Sequence, residues 1–113
     1  MHELSIVYEL YRTVTQLAAQ AGLHRVEAVR LQVGELSGVE GPYLLECWKA
    51  VVQDTPLQFA RLELVPLPAI ALCNGCAHLY AHLACARTCP HCGSHDHLIL
   101  SGRQFLIDRI EGY

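Results

Sequence analysis

Hydrophobic positions along the chain follow two periods, one typical of helices and one typical of strands. Residues 3–21 carry apolar side chains three or four positions apart, which predicts an amphipathic helix. Its predicted apolar stripe consists of Leu4, Val7, Tyr8, Tyr11, Val14, Leu17, Ala18 and Ala21. Gly22 follows at the place where a helix commonly ends in a left-handed residue.

The middle and the end of the chain predict a second helix and three strands. Residues 25–33 alternate apolar and polar side chains and contain several β-branched residues, and residues 60–65 and 104–110 alternate again. Pro42 suits the first turn of a helix between the first two strands. The apolar stripe of that helix is Tyr43, Leu44, Cys47, Trp48 and Val51. We expect its aromatic residues, like Tyr8 and Tyr11, to pack in a core or between helices.

Four cysteines form two CxxC pairs, Cys73 with Cys76 and Cys89 with Cys92, with twelve residues between the pairs. Pairs with this spacing can place four thiolates around one tetrahedral ion, for which Zn²⁺ is the usual metal. Two disulfides are the alternative, and they require an oxidising compartment. A redox-active CxxC is a further alternative, but that motif usually stands alone beside a βαβ pattern.

The order of elements predicts an α+β fold in which two helices lie on a three-stranded sheet. The cysteine segment enters before the last strand as an inserted zinc-ribbon lobe. We therefore expect residues 1–68 plus 101–113 to form one domain and residues 69–100 to form the zinc-binding domain.

Composition and charge argue against a nucleic-acid-binding or membrane protein. The net charge is −3 with histidine neutral, and only eight residues are Lys or Arg, so the chain lacks the basic stripe that nucleic acid requires. No apolar run approaches the roughly 18 residues of a membrane span. The amino terminus has no signal-peptide pattern. These features predict a cytoplasmic protein with reduced thiols and no nucleic-acid or membrane partner.

The amino terminus offers a second candidate metal site. His2 lies one residue from the terminal amine, so amine, backbone amide and imidazole nitrogens can chelate one ion, and Glu3 adds a carboxylate. Square-planar nitrogen and oxygen coordination favours Ni(II) or Cu(II). On these residues alone, a solvated terminal histidine is the competing interpretation.

Several segments together are similar to one family. They are Met1–Ile6, Val33–Val39, Leu64–Pro66, the Cys89-Pro-His-Cys92 motif, Ser101–Ile107 and Ile110–Glu111. This chain resembles the HypA/HybF family of hydrogenase nickel-incorporation proteins over nearly its whole length.

The resemblance implies a metallochaperone and not an enzyme. It implies nickel bound by His2 with support from Glu3, and structural zinc on Cys73, Cys76, Cys89 and Cys92. It also implies a GTPase accessory protein as partner and delivery to the [NiFe]-hydrogenase large subunit, and in some organisms to urease. Some members use an acidic residue ahead of the second helix as a further nickel contact, and here Glu40 occupies that neighbourhood. A homodimer in which two copies of the chain share the nickel ion is the alternative to nickel binding by a single chain.

Two other function classes compete with nickel delivery. One is a zinc-ribbon adaptor that binds a protein partner through its apolar helix faces, with His2 incidental. The other is an enzyme with catalytic zinc, against which four cysteine ligands argue, because catalytic zinc keeps an open position.

Six further residues in the cysteine segment could be spectators or metal contacts. They are Cys85 and the histidines His78, His82, His91, His95 and His97. We hypothesise that histidine protonation at about pH 6 alters the zinc lobe and nickel release. Constant nickel affinity and zinc-site geometry between about pH 7.5 and 6 would contradict this.

Overall fold

This computed structural model describes residues 3–113 of the chain. Within these residues the chain forms two helices and six strands. The elements are α1 (Glu3–Gln20), β1 (Val26–Gly34), α2 (Gly41–Val52), β2 (Arg61–Leu67), β3 (Ile70–Cys73), β4 (Leu79–Ala81), β5 (His97–Ser101) and β6 (Phe105–Gly112). The predicted α+β class is confirmed. Gly22 follows α1 with φ of +72°, and Leu23 N–H donates to Ala18 O at 2.9 Å, so the expected left-handed helix end is present.

The strands form two three-stranded sheets. The first has the order β2-β1-β6, which confirms the predicted sheet, and the second has the order β4-β3-β5 with antiparallel pairing. The prediction that the second strand ends at position 65 is wrong, since β2 continues through Pro66 to Leu67. Because β2 lies at the edge of its sheet, a proline without an N–H group is tolerated there.

The chain divides into two compact units. The first comprises the described residues up to Gln32 together with Gly38–Val65 and Leu106–Tyr113. The second comprises Val33–Ser37 and Pro66–Phe105. The unit boundaries thus differ from the predicted domain boundaries, and the assignment of one nickel-binding and one zinc-binding domain stays a prediction.

Helix α1 packs against α2 through a narrow stripe. Its buried apolar residues are Val7, Leu10, Val14 and Ala18, spaced three or four positions apart. Of the two expected positions for Tyr8 and Tyr43, the core is wrong, because their side chains are 59% and 48% exposed. Burial along α1 is confined to one stripe, and side chains beside that stripe stay in solvent.

The second helix is anchored as expected. Cys47 and Trp48 are both buried. The indole Nε1–H of Trp48 donates to Ala60 O at 3.0 Å, so the one polar atom of this large side chain is paired. Helix α2 is thereby fixed to the segment that leads into β2.

The segment Val33–Ser37, which comprises the end of β1 and the turn after it, holds two parts of the second unit that are distant in sequence. Glu35 Oε2 accepts a hydrogen bond from Ala69 N–H at 3.1 Å, just before β3. Leu36 N–H donates to Gly102 O at 2.7 Å, just after β5. One short segment therefore fixes the chain both where it enters the second sheet and where it leaves it.

Position 102, just after β5, requires glycine for two reasons. Its φ of +112° lies in a region that other residues rarely adopt, and a Cβ there would stand 2.6 Å from Ala69 Cα. Backbone, not a flexible side chain, occupies that space. Position 102 therefore admits only glycine without a shift of the chain.

We predict that Gly102→Ala destabilises the protein more than Gly93→Ala. Gly93 also has positive φ, +78°, but nothing lies within 4 Å of its added Cβ, so the control should cost only about 1–2 kcal/mol of backbone strain. Gly102→Ala adds a steric clash worth about 1–3 kcal/mol more. Denaturant unfolding of both variants measures the difference, and equal losses would contradict the close approach to Ala69.

Candidate metal centre

The first CxxC pair lies on a tight knuckle that follows β3. Cys73 N–H donates to His78 O at 2.9 Å, and Ala77 N–H donates to Cys73 O at 2.9 Å. Gly75 N–H points at Cys73 Sγ at a distance of 3.3 Å. The backbone thus folds around the first sulfur and turns the second cysteine, Cys76, back toward it.

The second pair repeats the same backbone pattern. Cys89 N–H donates to Ser94 O at 3.0 Å, and Gly93 N–H donates to Cys89 O at 2.8 Å. Gly93 and Ala77 occupy equivalent places and both have left-handed φ values, +78° and +63°. Each CxxC therefore presents its sulfurs through the same local geometry, a repeat that the residue types alone do not reveal.

The four sulfurs of the two knuckles converge. Cys73 Sγ lies 3.5 Å from Cys92 Sγ, Cys76 Sγ lies 3.5 Å from Cys89 Sγ, and all four lie within 4.8 Å of one another. All six cysteines of the chain are free thiols, so the disulfide alternative does not apply. Tetrahedral zinc with Zn–S bonds of about 2.3 Å sets its sulfurs about 3.8 Å apart. The cluster therefore fits zinc in both donor type and spacing.

The thiols of this cluster differ in their affinity for protons. Burial raises the pKa of Cys89, but the backbone N–H groups of Cys92 and His91 outweigh burial and lower this pKa to about 6. A backbone hydrogen bond from His78 lowers the pKa of Cys76, but burial and the neighbouring thiols outweigh it and raise this pKa to about 12. A metal that takes all four sulfurs must therefore displace protons, and its affinity falls as pH falls.

A second group of potential ligands adjoins the first. Cys76, His78 and His91 each bring a ligand atom within 4.8 Å of the others. The two imidazole rings are stacked, with centroids 3.8 Å apart and planes 14° apart. Cys76 belongs to both groups, so full occupation of the four-sulfur group engages the sulfur on which the second group depends.

The remaining candidates of the cysteine segment lie outside both groups. Cys85 packs against the buried residues around Cys73 and Cys89 but is in neither set of ligand atoms. His82 is buried, and its ring centroid lies 4.4 Å from that of His97. Burial lowers the pKa of His82, and the positive charges nearby lower it further. His95 Nδ1 lies within hydrogen-bond distance, 3.2 Å, of Thr88 Oγ1.

One residue that sequence reasoning missed is Tyr80, in the core beside the four sulfurs. Its side chain is only 6% exposed and packs with Ala71, Cys73 and Cys89. Burial raises the pKa of Tyr80, and negative charge on Cys73 and Cys89 raises it further. Alternation along β4 places Tyr80 on a buried face, but the residue pattern gives no indication of its proximity to the cysteines.

The amino-terminal candidates are only partly described. Glu3, in the first turn of α1, is 5% exposed, and its Oε2 accepts a hydrogen bond from Glu40 N–H at 3.2 Å. Glu40 immediately precedes α2. The prediction for His2 lies outside the described residues. Glu3 is therefore a buried acceptor next to Glu40.

No helix among residues 3–113 has both the length and the apolar character needed to cross a membrane.

Comparison with known proteins identifies one family. The family model described as "Hydrogenase/urease nickel incorporation, metallochaperone, hypA" matches residues 1–112. Hydrogenase maturation factor HypA of Albidiferax ferrireducens is 32% identical over 98% of each chain. The protein of the same name from Azotobacter chroococcum is 35% identical, again over 98% of each chain.

Solved structures share the fold. The solution structure of the Ni metallochaperone HypA from Helicobacter pylori superposes with a TM-score of 0.69, covering 99% of this chain and 97% of that one at 22% identity. A second solution structure of HypA protein gives a TM-score of 0.72 at 23% identity, covering 100% of this chain and 97% of that one. From the family match over residues 1–112 and the relatives above 30% identity, this chain belongs to the HypA family of nickel-incorporation metallochaperones, which are maturation factors and not enzymes.

Proposed function

We propose that this protein binds Ni(II) at its amino terminus through His2 and Glu3, carries structural zinc on its four clustered cysteines, and delivers nickel to the [NiFe]-hydrogenase large subunit. The observation that carries the proposal is the family match, which includes the His2-Glu3 start and both CxxC pairs within residues 1–112. The cytoplasm, where thiols stay reduced, is the compartment that suits this chemistry.

Nickel is the cargo, and the proposed site suits a cargo. Few protein ligands at the start of a chain leave the coordination sphere incomplete, so an acceptor can displace them one at a time. The hydrogen bond between Glu3 and Glu40 N–H supports Glu40 as a further contact, because its backbone lies beside the Glu3 carboxylate. Nitrogen and oxygen donors of this kind favour nickel over zinc.

Zinc has a structural role and, unlike nickel, is not a cargo. Cys73, Cys76, Cys89 and Cys92 would enclose it completely, and closed tetrahedral sites of this kind contribute folding free energy instead of exchanging their metal. The 4.8 Å limit on their mutual sulfur distances supports this assignment.

The description of the family supports a proposal for the delivery partners. Incorporation of nickel into hydrogenase or urease requires an acceptor apoprotein, for which we propose the hydrogenase large subunit, with urease as a second acceptor class. We propose a GTPase accessory protein as the partner that drives transfer.

Substitution of one clustered cysteine should remove zinc. We predict that Cys73→Ser loses its metal and the structure of the second unit, because a closed site needs all four thiolates. Cys85→Ser is the matched control, since Cys85 lies in the same segment but outside both ligand groups. Elemental analysis of purified protein counts the zinc. Retained zinc in Cys73→Ser, or lost zinc in Cys85→Ser, would contradict the assignment.

Substitution of the terminal histidine should remove nickel and leave zinc in place. We predict that His2→Ala weakens Ni(II) binding by more than the roughly 10–100-fold typical of losing an outer-shell partner. His24→Ala, which changes an exposed histidine of the first unit, should bind as wild type. A nickel titration of untagged protein, with zinc counted in the same sample, tests both. Equal nickel binding by wild type and His2→Ala would instead favour the adaptor hypothesis.

Two substitutions of Glu3 separate its structural role from its role in nickel binding. Glu3→Ala leaves Glu40 N–H without its observed partner and should lower the free energy of unfolding by about 1–3 kcal/mol. Glu3→Gln keeps an acceptor oxygen, so it should retain most of that stability while losing the charge that favours nickel. We expect Glu3→Gln to bind nickel more weakly at near wild-type thermal stability. Wild-type nickel affinity in Glu3→Gln would restrict Glu3 to a structural role.

A further inference from the structure

The hydroxyl of Tyr80 is an unexplained polar atom. The side chain is 6% exposed, and its Oη has no hydrogen-bond partner in the described part of the chain. Buried hydroxyls are nearly always paired, because an unpaired one loses its interaction with water and gains nothing in return. The Tyr80 hydroxyl is therefore a candidate donor to a group that the site acquires.

The surroundings of Tyr80 contain few possible acceptors. The cluster of buried residues around it consists of Ala71, Cys73 and Cys89, with Cys76, Cys85 and Ile99 packed against it. In that set the only side-chain atoms able to accept a hydrogen bond are cysteine sulfurs. Outside it, the imidazole of His82, whose ring centroid lies 6.2 Å from that of Tyr80, is the competing acceptor. A neutral thiol is a weak acceptor, whereas a thiolate carries the charge that makes hydrogen bonds strong.

Strand register places Tyr80 on the same face of the sheet as one of these sulfurs. Tyr80 on β4 stands directly opposite Ala71 on β3. Cys73 lies two residues after Ala71 and therefore on the same face of the sheet. A diagonal neighbour of this kind lies within reach of an aromatic side chain, and the small Ala71 leaves room for the ring.

We propose that Tyr80 Oη–H donates a hydrogen bond to a zinc-bound thiolate, that of Cys73 or Cys89, and is a positioning residue for the metal centre. The inference rests on the zinc assignment made above. Four thiolates and one Zn²⁺ leave a net charge of −2 in a partly buried place, and a donated hydrogen bond stabilises part of that charge. Outer-shell donors commonly play this role toward metal ligands.

Removal of the single oxygen tests the proposal. In Tyr80→Phe the ring and its packing remain, so a loss of zinc affinity reports the hydroxyl alone. We expect affinity about tenfold below wild type, at the lower end of the range for outer-shell partners. Tyr43→Phe is the control, because it removes a hydroxyl from a half-exposed tyrosine of the other compact unit. Competition of the untagged full chain with a chromophoric zinc chelator measures all three proteins.

A spectroscopic measurement separates this role from packing. With Co(II) in place of zinc, the thiolate-to-cobalt charge-transfer band reports the energy of the sulfur lone pairs. Loss of a hydrogen bond raises that energy, so the band of Tyr80→Phe should move to lower energy while the tetrahedral d–d bands keep their positions. Tyr43→Phe should leave both sets of bands unchanged.

The outcomes distinguish failure of the Tyr80 inference from failure of the zinc assignment. Zinc bound equally well by wild type and Tyr80→Phe, or an unmoved charge-transfer band, would overturn the role of Tyr80 and leave the four-cysteine site intact. Wild-type protein that holds no zinc on these cysteines would overturn both.

Discussion

The convergence of four cysteine sulfurs is the constraint on which the second compact unit depends. Its apolar interior is small: the buried cluster consists of Ala71, Tyr80 and two of the cysteines themselves. A core of this size provides little hydrophobic stabilisation, and small lobes generally need a metal or disulfides to fold. The sulfurs therefore occupy the place of a core, and the metal that they fit would supply the cohesion that apolar burial cannot.

Two carboxylates show how acidic residues shape this fold without any catalytic role. Glu35 accepts a backbone hydrogen bond before β3, and Glu3 accepts one from the residue that precedes α2. In each case a side chain satisfies an N–H group far away in sequence and so fixes a segment that no regular ladder holds. For Glu3 this structural function coexists with the proposed nickel function, because both draw on the same buried group.

Local patterns predicted much of this structure, and long-range geometry accounts for the rest. The periodicity of residues 3–21 and the alternation around Val26 and Ile110 suffice for the first helix, for β1 and β6, and for the fold class, since these depend on near neighbours; the three strands of the second sheet were not predicted. The same periodicity could not tell that Tyr8 is exposed and Leu10 buried, because that depends on which helix packs alongside. CxxC spacing predicted that the sulfurs meet. Nothing in the spacing indicated that Tyr80 would join them.

The order of strands has a consequence for synthesis of the chain. Strand β6 completes the sheet beside β1, yet it follows residues 66–104 in sequence. On the ribosome, β1 must therefore wait with one edge unpaired until the cysteine segment has emerged, and domains fold largely as their residues become available. Unpaired edges recruit strands from other chains. A shortage of metal that delays the cysteine segment would thus endanger the first sheet by aggregation, although that sheet contains none of the four sulfurs.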